Sequence, residues 1–322
     1  MKVVEVIDKS LQLATHSLPD SSTTEVLIKV LAAGVNRADI MQRKGLYPPP
    51  IGASDILGLE VAGIVEAVGA DVDSVKIGDR VCALLTGGGY AEYCVADAEL
   101  CLPIPKEISF IQAAGIPEAF FTVWSNLFDL AQIKDGDSLL VHGGSSGIGT
   151  TAIQFAKAFA IKVFITAGSQ EKCDFCLQLG ADAAINYQQQ DFVSEIKQLT
   201  DNQGVDVILD MVGGDYFSRN IKCMAYDARL VQIAIQKGYQ AEVNLLPIML
   251  KRLTITGSTL RDRDVVFKRK IAKQLQQKLW PLLAEGKLTP VIDAVFSLEK
   301  VVQAHELMES SLHKGKIILT LD

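Results

Sequence analysis

The sequence predicts an α/β protein built on a doubly wound parallel sheet, with a second, β-rich domain formed by the two ends of the chain. Between about residues 119 and 262, short apolar segments alternate with helical segments. A glycine-rich turn joins the first of these strands to the first helix, and residues 1–118 are rich in short strands separated by glycines. We therefore expect one domain at 119–262 and a discontinuous one at 1–118 and 263–322.

The alternating region contains enough strands for two mononucleotide-binding halves. Its predicted strands are 138–142, 162–167, 183–187, 205–210, 228–234 and 253–258, and its predicted helices are 147–160, 171–179, 191–200 and 215–224. The C-terminal region is expected to hold a charged helix at 264–285, a strand at 292–295, a helix at 298–309 and a strand at 316–321. These last pieces are too small to form a core of their own.

Composition narrows the class of protein. The 322 residues are 49% hydrophobic and 21% charged, a composition that predicts an ordinary soluble protein. A formal net charge of −7 argues against general nucleic-acid binding, for which a basic face is favoured. No uncharged apolar run is long enough to cross a membrane, and acids interrupt the apolar N-terminus, so we expect a cytoplasmic protein whose six cysteines are reduced.

The turn at residues 143–149 is the strongest chemical signal. It follows an apolar strand and opens an amphipathic helix, the order that places a dinucleotide pyrophosphate at a helix N-terminus. Read as Gly144-x-Ser146-x-x-Gly149, it departs from the usual pattern because a serine replaces the middle glycine. A hydroxyl there can substitute by bonding a phosphate; the alternative is a purely structural turn. The flanking elements favour a Rossmann cofactor site.

The end of the next strand indicates which cofactor is bound. An acid that would bind the 2′-hydroxyl of NADH is absent, and Ser169 and Lys172 stand there instead. A hydroxyl and an ammonium group suit a 2′-phosphate, which favours NADPH, although a lysine there can also be a solvated helix residue. Tyr187, at the end of the following strand, is predicted either to stack on adenine or to serve as a strand-end core aromatic.

Three further features have competing interpretations. Residues 210–214 (DMVGG) and Ile233 end the fourth and fifth strands, near the expected ribose and nicotinamide, but ordinary strand-to-loop punctuation has the same appearance. His142 is interpreted as a structural histidine. Cys173 and Cys176 have a metal-like spacing but no second pair, so we interpret them as helix-packing residues.

The chain resembles the medium-chain dehydrogenase/reductase superfamily over essentially its whole length. Within that superfamily it resembles the zinc-free, zeta-crystallin-like quinone oxidoreductases. The segments that carry the resemblance are residues 34–39 (GVNRAD), 58–63 (GLEVAG), 76–81 (KIGDRV), 143–149 and 315–317 (GKI), with closer likeness at 36–42, 45–50, 116–119 and 167–170. The resemblance implies a GroES-like β-rich domain beside the Rossmann domain, with the active site between them.

The resemblance also implies a metal-free reaction. Zinc-dependent members have a cysteine near position 34 and a histidine at position 59, where this chain has Gly34 and Leu59. A cysteine-rich structural zinc lobe is missing from residues 85–110. Without a Lewis acid, hydride transfer from NADPH to an already electrophilic small molecule such as a quinone is the feasible chemistry.

The resemblance assigns site residues to positions of this chain. Asn36 and Tyr47 are expected near the nicotinamide as the catalytic pair, with Tyr47 either donating a proton to the acceptor or only shaping the cleft. The expected cofactor-binding residues are Asn36, Thr122, Gly144, Ser146, Gly147, Ile148, Gly149, Ser169, Lys172, Tyr187, Val212, Ile233, Leu260 and Lys316. The family is homodimeric, and the strand at 253–258 is the expected contact edge.

Two other functions stay open. Related zinc-free members reduce activated carbon–carbon double bonds in enals, enones or enoyl thioesters. A non-enzymatic role, as an NADPH-binding structural or nucleic-acid-binding protein, is the alternative from a different class, and the acidic charge weighs against it.

Overall fold

The computed structural model describes residues 1–321, which form two compact units. Unit 1 comprises Met1–Phe121 together with the chain from Leu260 onward, and unit 2 comprises Thr122–Thr259. A mixed α/β architecture with a parallel sheet in one unit and a β-rich second unit confirms the predicted fold class. No helix among residues 1–321 has both the length and the apolar character needed to span a bilayer.

The described residues contain fifteen strands and eleven α-helices. The strands are β1 (Lys2–Ile7), β2 (Ser10–Thr15), β3 (Glu25–Val35), β4 (Glu60–Val68), β5 (Arg80–Leu84), β6 (Tyr93–Asp97), β7 (Cys101–Pro103), β8 (Ser138–His142), β9 (Lys162–Ala167), β10 (Ala183–Asn186), β11 (Val205–Asp210), β12 (Met224–Gln232), β13 (Thr254–Gly257), β14 (Ile292–Ser297) and β15 (Lys316–Thr320). The helices are α1 (Arg37–Arg43), α2 (Phe110–Ala113), α3 (Pro117–Trp124), α4 (Gly147–Ala158), α5 (Gln170–Leu179), α6 (Phe192–Leu199), α7 (Tyr216–Cys223), α8 (Leu246–Leu250), α9 (Val265–Lys278), α10 (Trp280–Ala284) and α11 (Val301–Ser310).

Unit 2 contains a six-stranded parallel sheet in the order β10-β9-β8-β11-β12-β13. Numbered within the unit, this is the doubly wound order 3-2-1-4-5-6, which reverses direction between its first and fourth strands. The strands are nearly continuous apolar runs because helices cover both faces of such a sheet. Leu140, Phe164, Ile208 and Leu230 from four neighbouring strands are fully buried in one core.

Unit 1 contains a seven-stranded sheet in which β14, β15, β3, β4, β5 and β7 lie side by side, and β6 also pairs with β3. The long strand β3 alternates buried and half-buried residues over its first half, as a strand with one core-facing side does. The C-terminal strand β15 pairs antiparallel with its end, Ile317 opposite Val35 and Ile318 opposite Gly34. This pairing brings the last strand of the chain beside the residues that precede α1.

The charged helix predicted at 264–285 is not continuous. The structure has α9 ending at Lys278 and a separate short helix, α10, beginning at Trp280. Pro281 lies in the first turn of α10, and a proline there has no backbone N–H to continue the hydrogen bonds of α9. The prediction failed because the hydrophobic spacing continues across the proline although the backbone ladder does not.

Candidate functional site

The glycine-rich turn of unit 2 is shaped by close backbone packing. Gly143 adopts a positive φ of 74°, and a Cβ on Gly149 would overlap the carbonyl groups of Gly143 and Gly144. The side chain of Ser146 accepts a hydrogen bond of 3.0 Å from the N–H of Gly149, so it caps α4. The turn therefore presents the start of a capped helix, at Gly147 and Ile148, at the C-terminal edge of the sheet, where anions bind.

Ser169 and Lys172 occupy the start of the next helix. Ser169 is the N-cap of α5, and its hydroxyl accepts a 3.2 Å hydrogen bond from the backbone N–H of Lys172. Both residues are half-buried. The hydroxyl and the lysine thus lie within one helical turn at the end of β9, the arrangement that suits a phosphate group.

Tyr187 follows β10 at the same edge and is 39% exposed. A Cβ on Gly168 would lie 2.7 Å from the Tyr187 hydroxyl, so a larger residue at position 168 would displace the ring. The exposure of the Tyr187 ring favours the interpretation that it stacks on a ligand over the interpretation that it is a core residue.

A buried polar chain in unit 2 supports the loop after β11. Asp210 accepts hydrogen bonds from the N–H groups of Val212, at 2.6 Å, and Gly213, at 3.3 Å. Its second oxygen accepts from Asn220 at 2.9 Å, and the Asn220 oxygen lies 2.7 Å from Nε2 of His142. Burial lowers the pKa of His142, so the neutral ring donates through Nε2. This agrees with the structural interpretation of His142, whereas no sequence pattern indicates the role of Asn220.

Two other predicted cofactor-binding residues of unit 2, Ile233 and Thr122, form hydrogen bonds through their backbone groups. The N–H of Ile233 donates to the carbonyl of Asp210 at 2.8 Å, which joins the ends of β11 and β12. The carbonyl of Thr122 accepts from the Asn126 side chain at 2.8 Å. Both residues are half-buried, and their contact with a cofactor stays a prediction.

In unit 1 the structure brings Asn36 and Lys316 into direct contact around a buried carboxylate. The Lys316 ammonium donates to Oδ1 of Asn36 at 2.6 Å and lies 2.5 Å from Oε1 of Glu60. Asn36 Nδ2 donates to the same Glu60 oxygen at 2.9 Å, and the N–H of Glu118 donates to the other oxygen at 2.9 Å. Glu60 is fully buried and Lys316 is 5% exposed. The three side chains therefore fix one another's orientation.

The same region does not fit a catalytic zinc. Gly34 has no side chain and Leu59 has no ligand atom. A Cβ on Gly34 would overlap the Glu60 carboxylate and the carbonyl of Ala114, so this carboxylate occupies the space of a larger side chain. Among residues 1–321, no group of three or more His, Cys, Asp and Glu side chains is arranged to hold a metal ion.

Asp39 binds the backbone of Asn36, whereas Glu60 and Lys316 bind its side chain. The Asp39 carboxylate accepts hydrogen bonds from the N–H of Asn36 at 2.8 Å, the N–H of Gly58 at 3.1 Å and the hydroxyl of Tyr90 at 3.1 Å. Burial raises the pKa of Asp39 to about 6, and the three hydrogen bonds and the Lys316 charge oppose that rise. Asp39 lies within the motif at residues 34–39, but its role depends on these contacts, which the sequence does not show.

Glu118 is a second acid that the sequence did not single out. It is half-buried, and burial followed by the nearby charge of Glu60 raises the pKa of its carboxyl group to about 7. The Lys316 and Lys268 ammonium groups oppose this rise. The group therefore changes its charge near neutral pH, a property that depends on neighbours far away in sequence.

Tyr47 lies in the loop after α1, half-buried. Its pKa is raised by burial, then by the charges of Asp262 and Glu118, and is lowered by Arg261, whose guanidinium carbon lies 5.4 Å from the ring centre. The hydrogen bonds of Asn36 do not include Tyr47, so in unit 1 the two predicted catalytic residues belong to separate clusters. Leu260, half-buried, precedes Arg261 in unit 1, and its contact with a cofactor stays a prediction.

Comparison with known proteins matches both units. Residues 22–106 match the alcohol dehydrogenase GroES-like domain family, and residues 147–277 match the zinc-binding dehydrogenase family. Quinone oxidoreductase from Sus scrofa is 36% identical over 95% of this chain and 92% of its own. The structure of Escherichia coli quinone oxidoreductase complexed with NADPH is 30% identical over the whole of both chains, with a TM-score of 0.90. The structure of CurK enoyl reductase is 26% identical, with a TM-score of 0.88, over 100% of this chain and 99% of that one.

Proposed function

The chain belongs to the medium-chain dehydrogenase/reductase superfamily, in its quinone oxidoreductase family, and from this premise we propose that it is an NADPH-dependent quinone reductase that works without a metal. The observation that carries the proposal is the Asn36–Glu60–Lys316 cluster, in which an ammonium group neutralises the buried carboxylate beside Gly34. Because residues 1–321 contain no ligand set for a metal that could act as a Lewis acid, the acceptor has to be electrophilic before it binds. A quinone meets that requirement.

Bound NADPH would supply the hydride. In unit 2 the capped start of α4 suits the pyrophosphate, and Ser169 with Lys172 suits the 2′-phosphate. The exposed ring of Tyr187 is placed to stack on a flat heterocycle. Val212 and Gly213, held by Asp210, offer a fixed backbone for the remaining part of the cofactor.

In unit 1 the chain's own residues would orient the acceptor and protonate it. Lys316 and Asn36 have fixed side-chain positions because each bonds the other and Glu60. Tyr47 has a hydroxyl group that can donate a proton to the acceptor oxygen after it has received the hydride. A quinone that gains a hydride and a proton becomes a hydroquinone, so no further redox partner is needed.

The test is NADPH oxidation, followed by nicotinamide absorbance, by purified and chelator-treated protein. The acceptors are 1,2-naphthoquinone, 1,4-benzoquinone, an enal and crotonyl-coenzyme A, each with an NADH control. We expect turnover of the quinones, faster with NADPH than with NADH and unchanged by the chelator. Loss of activity on chelation that zinc restores would overturn the metal-free mechanism.

A second candidate function is reduction of an activated carbon–carbon double bond. The structural similarity to CurK enoyl reductase over nearly the full length of both chains favours it. The same panel decides between the two: turnover of the enal or the thioester alone would assign the protein to the double-bond reductases. Binding of NADPH without turnover of any acceptor would support the non-enzymatic class instead.

We also propose a homodimer formed through the edge of the unit 2 sheet. Strand β13 ends that sheet and pairs on one side with β12. The preceding helix α8 carries Leu245 at its N-cap and Leu246, Met249 and Leu250 within it, each more than half exposed. An unpaired strand edge beside exposed apolar side chains favours association with a second copy. Light scattering of the purified protein tests this: a monomer at micromolar concentration would contradict it.

The cytoplasm is the proposed compartment. All six cysteines are buried free thiols. A reducing compartment such as the cytoplasm would keep them in that state. Fluorescence microscopy of a tagged protein tests this, and an organellar pattern would contradict it.

A further inference from the structure

Arg261 is a buried cation held by neutral groups. It is 6% exposed, its Nε and Nη2 donate to the carbonyl of Thr86 at 2.8 and 2.6 Å, and Nη2 also donates to the side-chain oxygen of Gln42 at 2.9 Å. Its Nη1 is buried and has no hydrogen-bond partner within residues 1–321. Removing a cation from water is costly unless another group compensates its charge, so this arrangement indicates a function.

A second buried cation adds to the charge. Lys268 in α9 is 2% exposed, and its ammonium donates to the backbone carbonyl of Arg261 at 2.7 Å. Neither side chain forms a direct salt bridge with a carboxylate among residues 1–321, although the charges of Glu118, Asp262 and Asp264 act on Lys268 from a longer distance. Lys268 therefore fixes the backbone from which Arg261 extends and raises the local positive potential.

The group that faces Arg261 is the ring of Tyr47. The guanidinium carbon is 5.4 Å from the ring centre, inside the range of a cation–π contact. Burial and the charges of Asp262 and Glu118 disfavour ionisation of Tyr47, and Arg261 is the cation that opposes them. Gln42, which bonds Arg261, belongs to α1, the helix directly before the Tyr47 loop.

We propose that Arg261 is a positioning residue that holds the Tyr47 ring and stabilises its phenolate, so that Tyr47 can release its proton to the reduced acceptor. This inference rests on the proposed function, in which Tyr47 is the proton donor. The acceptor gains a hydride at the expense of NADPH and a proton from the Tyr47 hydroxyl, and the resulting phenolate recovers a proton from water. The unpaired guanidinium charge balances the phenolate during that interval.

The first test measures Tyr47 directly and does not depend on activity. 3-Fluorotyrosine placed at position 47 alone gives a fluorine resonance whose pH titration reports the phenol pKa. We expect Arg261→Met to raise that pKa by about half a unit or more, and Arg261→Lys, which keeps the charge, to raise it less. Equal pKa values in the unsubstituted protein and in folded Arg261→Met protein would overturn the inference. Lys268→Met serves as a milder variant if Arg261→Met does not fold, and we expect it to raise the pKa in the same direction.

The second test uses turnover. We expect Arg261→Met to lower kcat about two- to fivefold and to move the loss of kcat at alkaline pH to higher pH. In a Tyr47→Phe background, Arg261→Met should lower kcat no further. A purely structural Arg261 would lower kcat equally in both backgrounds.

The failures of the two proposals are distinguishable. If quinones are not reduced at all, the proposed function is wrong, while the fluorine titration still decides the Arg261–Tyr47 coupling. If quinones are reduced and Tyr47→Phe has full kcat, Tyr47 is not the donor and the inference is wrong with it. If Tyr47→Phe is slow but the effects of the two substitutions multiply, the inference alone is wrong.

Discussion

The Lys316 ammonium lies 2.5 Å from Oε1 of Glu60, and both side chains are almost completely buried. Such a pair is held together by its own charges and by additional hydrogen bonds, here from Asn36 and from the N–H of Glu118. The pair connects β4 to β15, two strands that both flank β3. It thus joins the proposed site to the C-terminal end of the chain.

Removing one partner of this pair should be far more costly than replacing both. We expect Lys316→Met to destabilise the protein by about 3–5 kcal/mol, because it leaves a buried, uncompensated carboxylate. The double variant Lys316→Met with Glu60→Gln should recover a large part of that loss. The measurement is urea unfolding followed by circular dichroism. Additive losses in the double variant would show that the two charges do not stabilise each other.

The extent to which the sequence predicts this molecule differs between the two units. The predicted strands at 162–167 and 205–210 coincide with β9 and β11, because both are short apolar runs bounded by glycines or polar residues. In unit 1 the partial alternation of apolar and polar residues over 24–30 predicts a strand that ends near Val30, whereas β3 extends to Val35. Its last residues are buried on both faces, so the alternation that reveals a strand disappears there.

In the candidate site, the features that the sequence predicts are local ones, and those it does not predict depend on contacts between distant segments. Spacing alone predicts the residues that lie three positions apart within one motif, such as Ser146 and Gly149 or Ser169 and Lys172. The partners of Glu60 and Arg261 come from distant segments, and burial is what gives these charges their importance. A sequence pattern shows neither property, which is why Glu118, Asn220 and Arg261 emerge only from the structure.

Glu118 should make stability depend on pH. Its pKa is raised to about 7 in the folded protein, so the folded state holds a proton that the unfolded state has lost between about pH 4.5 and 7. Its contribution to stability therefore falls as pH rises through that window and stays low above it. We expect Glu118→Gln to reduce this fall and to stabilise the protein by about 1 kcal/mol at pH 8. This value is smaller than the pKa shift alone would give, because Glu118 is partly exposed and solvent screens its charge.

Urea unfolding at pH 5 and pH 8 measures this effect. Glu107→Gln, at an exposed position of the same unit, is the matched control and should leave the pH dependence unchanged. A Glu118→Gln variant with the same pH dependence as the unsubstituted protein would show that another group titrates in this range, and Asp39 is then the next carboxyl group to test.

Asn220 should stabilise unit 2 because it is the shared partner of Asp210 and His142. Replacing it by leucine leaves both buried groups without that hydrogen bond, and each unsatisfied group costs about 1–3 kcal/mol. We expect Asn220→Leu to destabilise the protein by about 2–4 kcal/mol in urea unfolding. Gln198→Leu, exposed on α6, is the control and should change stability little. A loss no larger than the control's would mean that water or another group replaces Asn220.

Lys172 is expected to distinguish NADPH from NADH, because the two cofactors differ only in the 2′-phosphate. Its side chain belongs to the first turn of α5, the helix capped by Ser169, so a phosphate there would meet both an ammonium group and the positive end of a helix. We expect Lys172→Ala to weaken NADPH binding by about 1–3 kcal/mol, the value of a charge-assisted hydrogen bond, and to leave NADH binding nearly unchanged. Isothermal titration of each cofactor measures the two affinities, with Lys197→Ala, an exposed lysine of the same unit, as the control. An equal loss for both cofactors would assign Lys172 to a part of the site that does not contact the 2′-phosphate, and Ser169 would then be the group to test for NADPH preference.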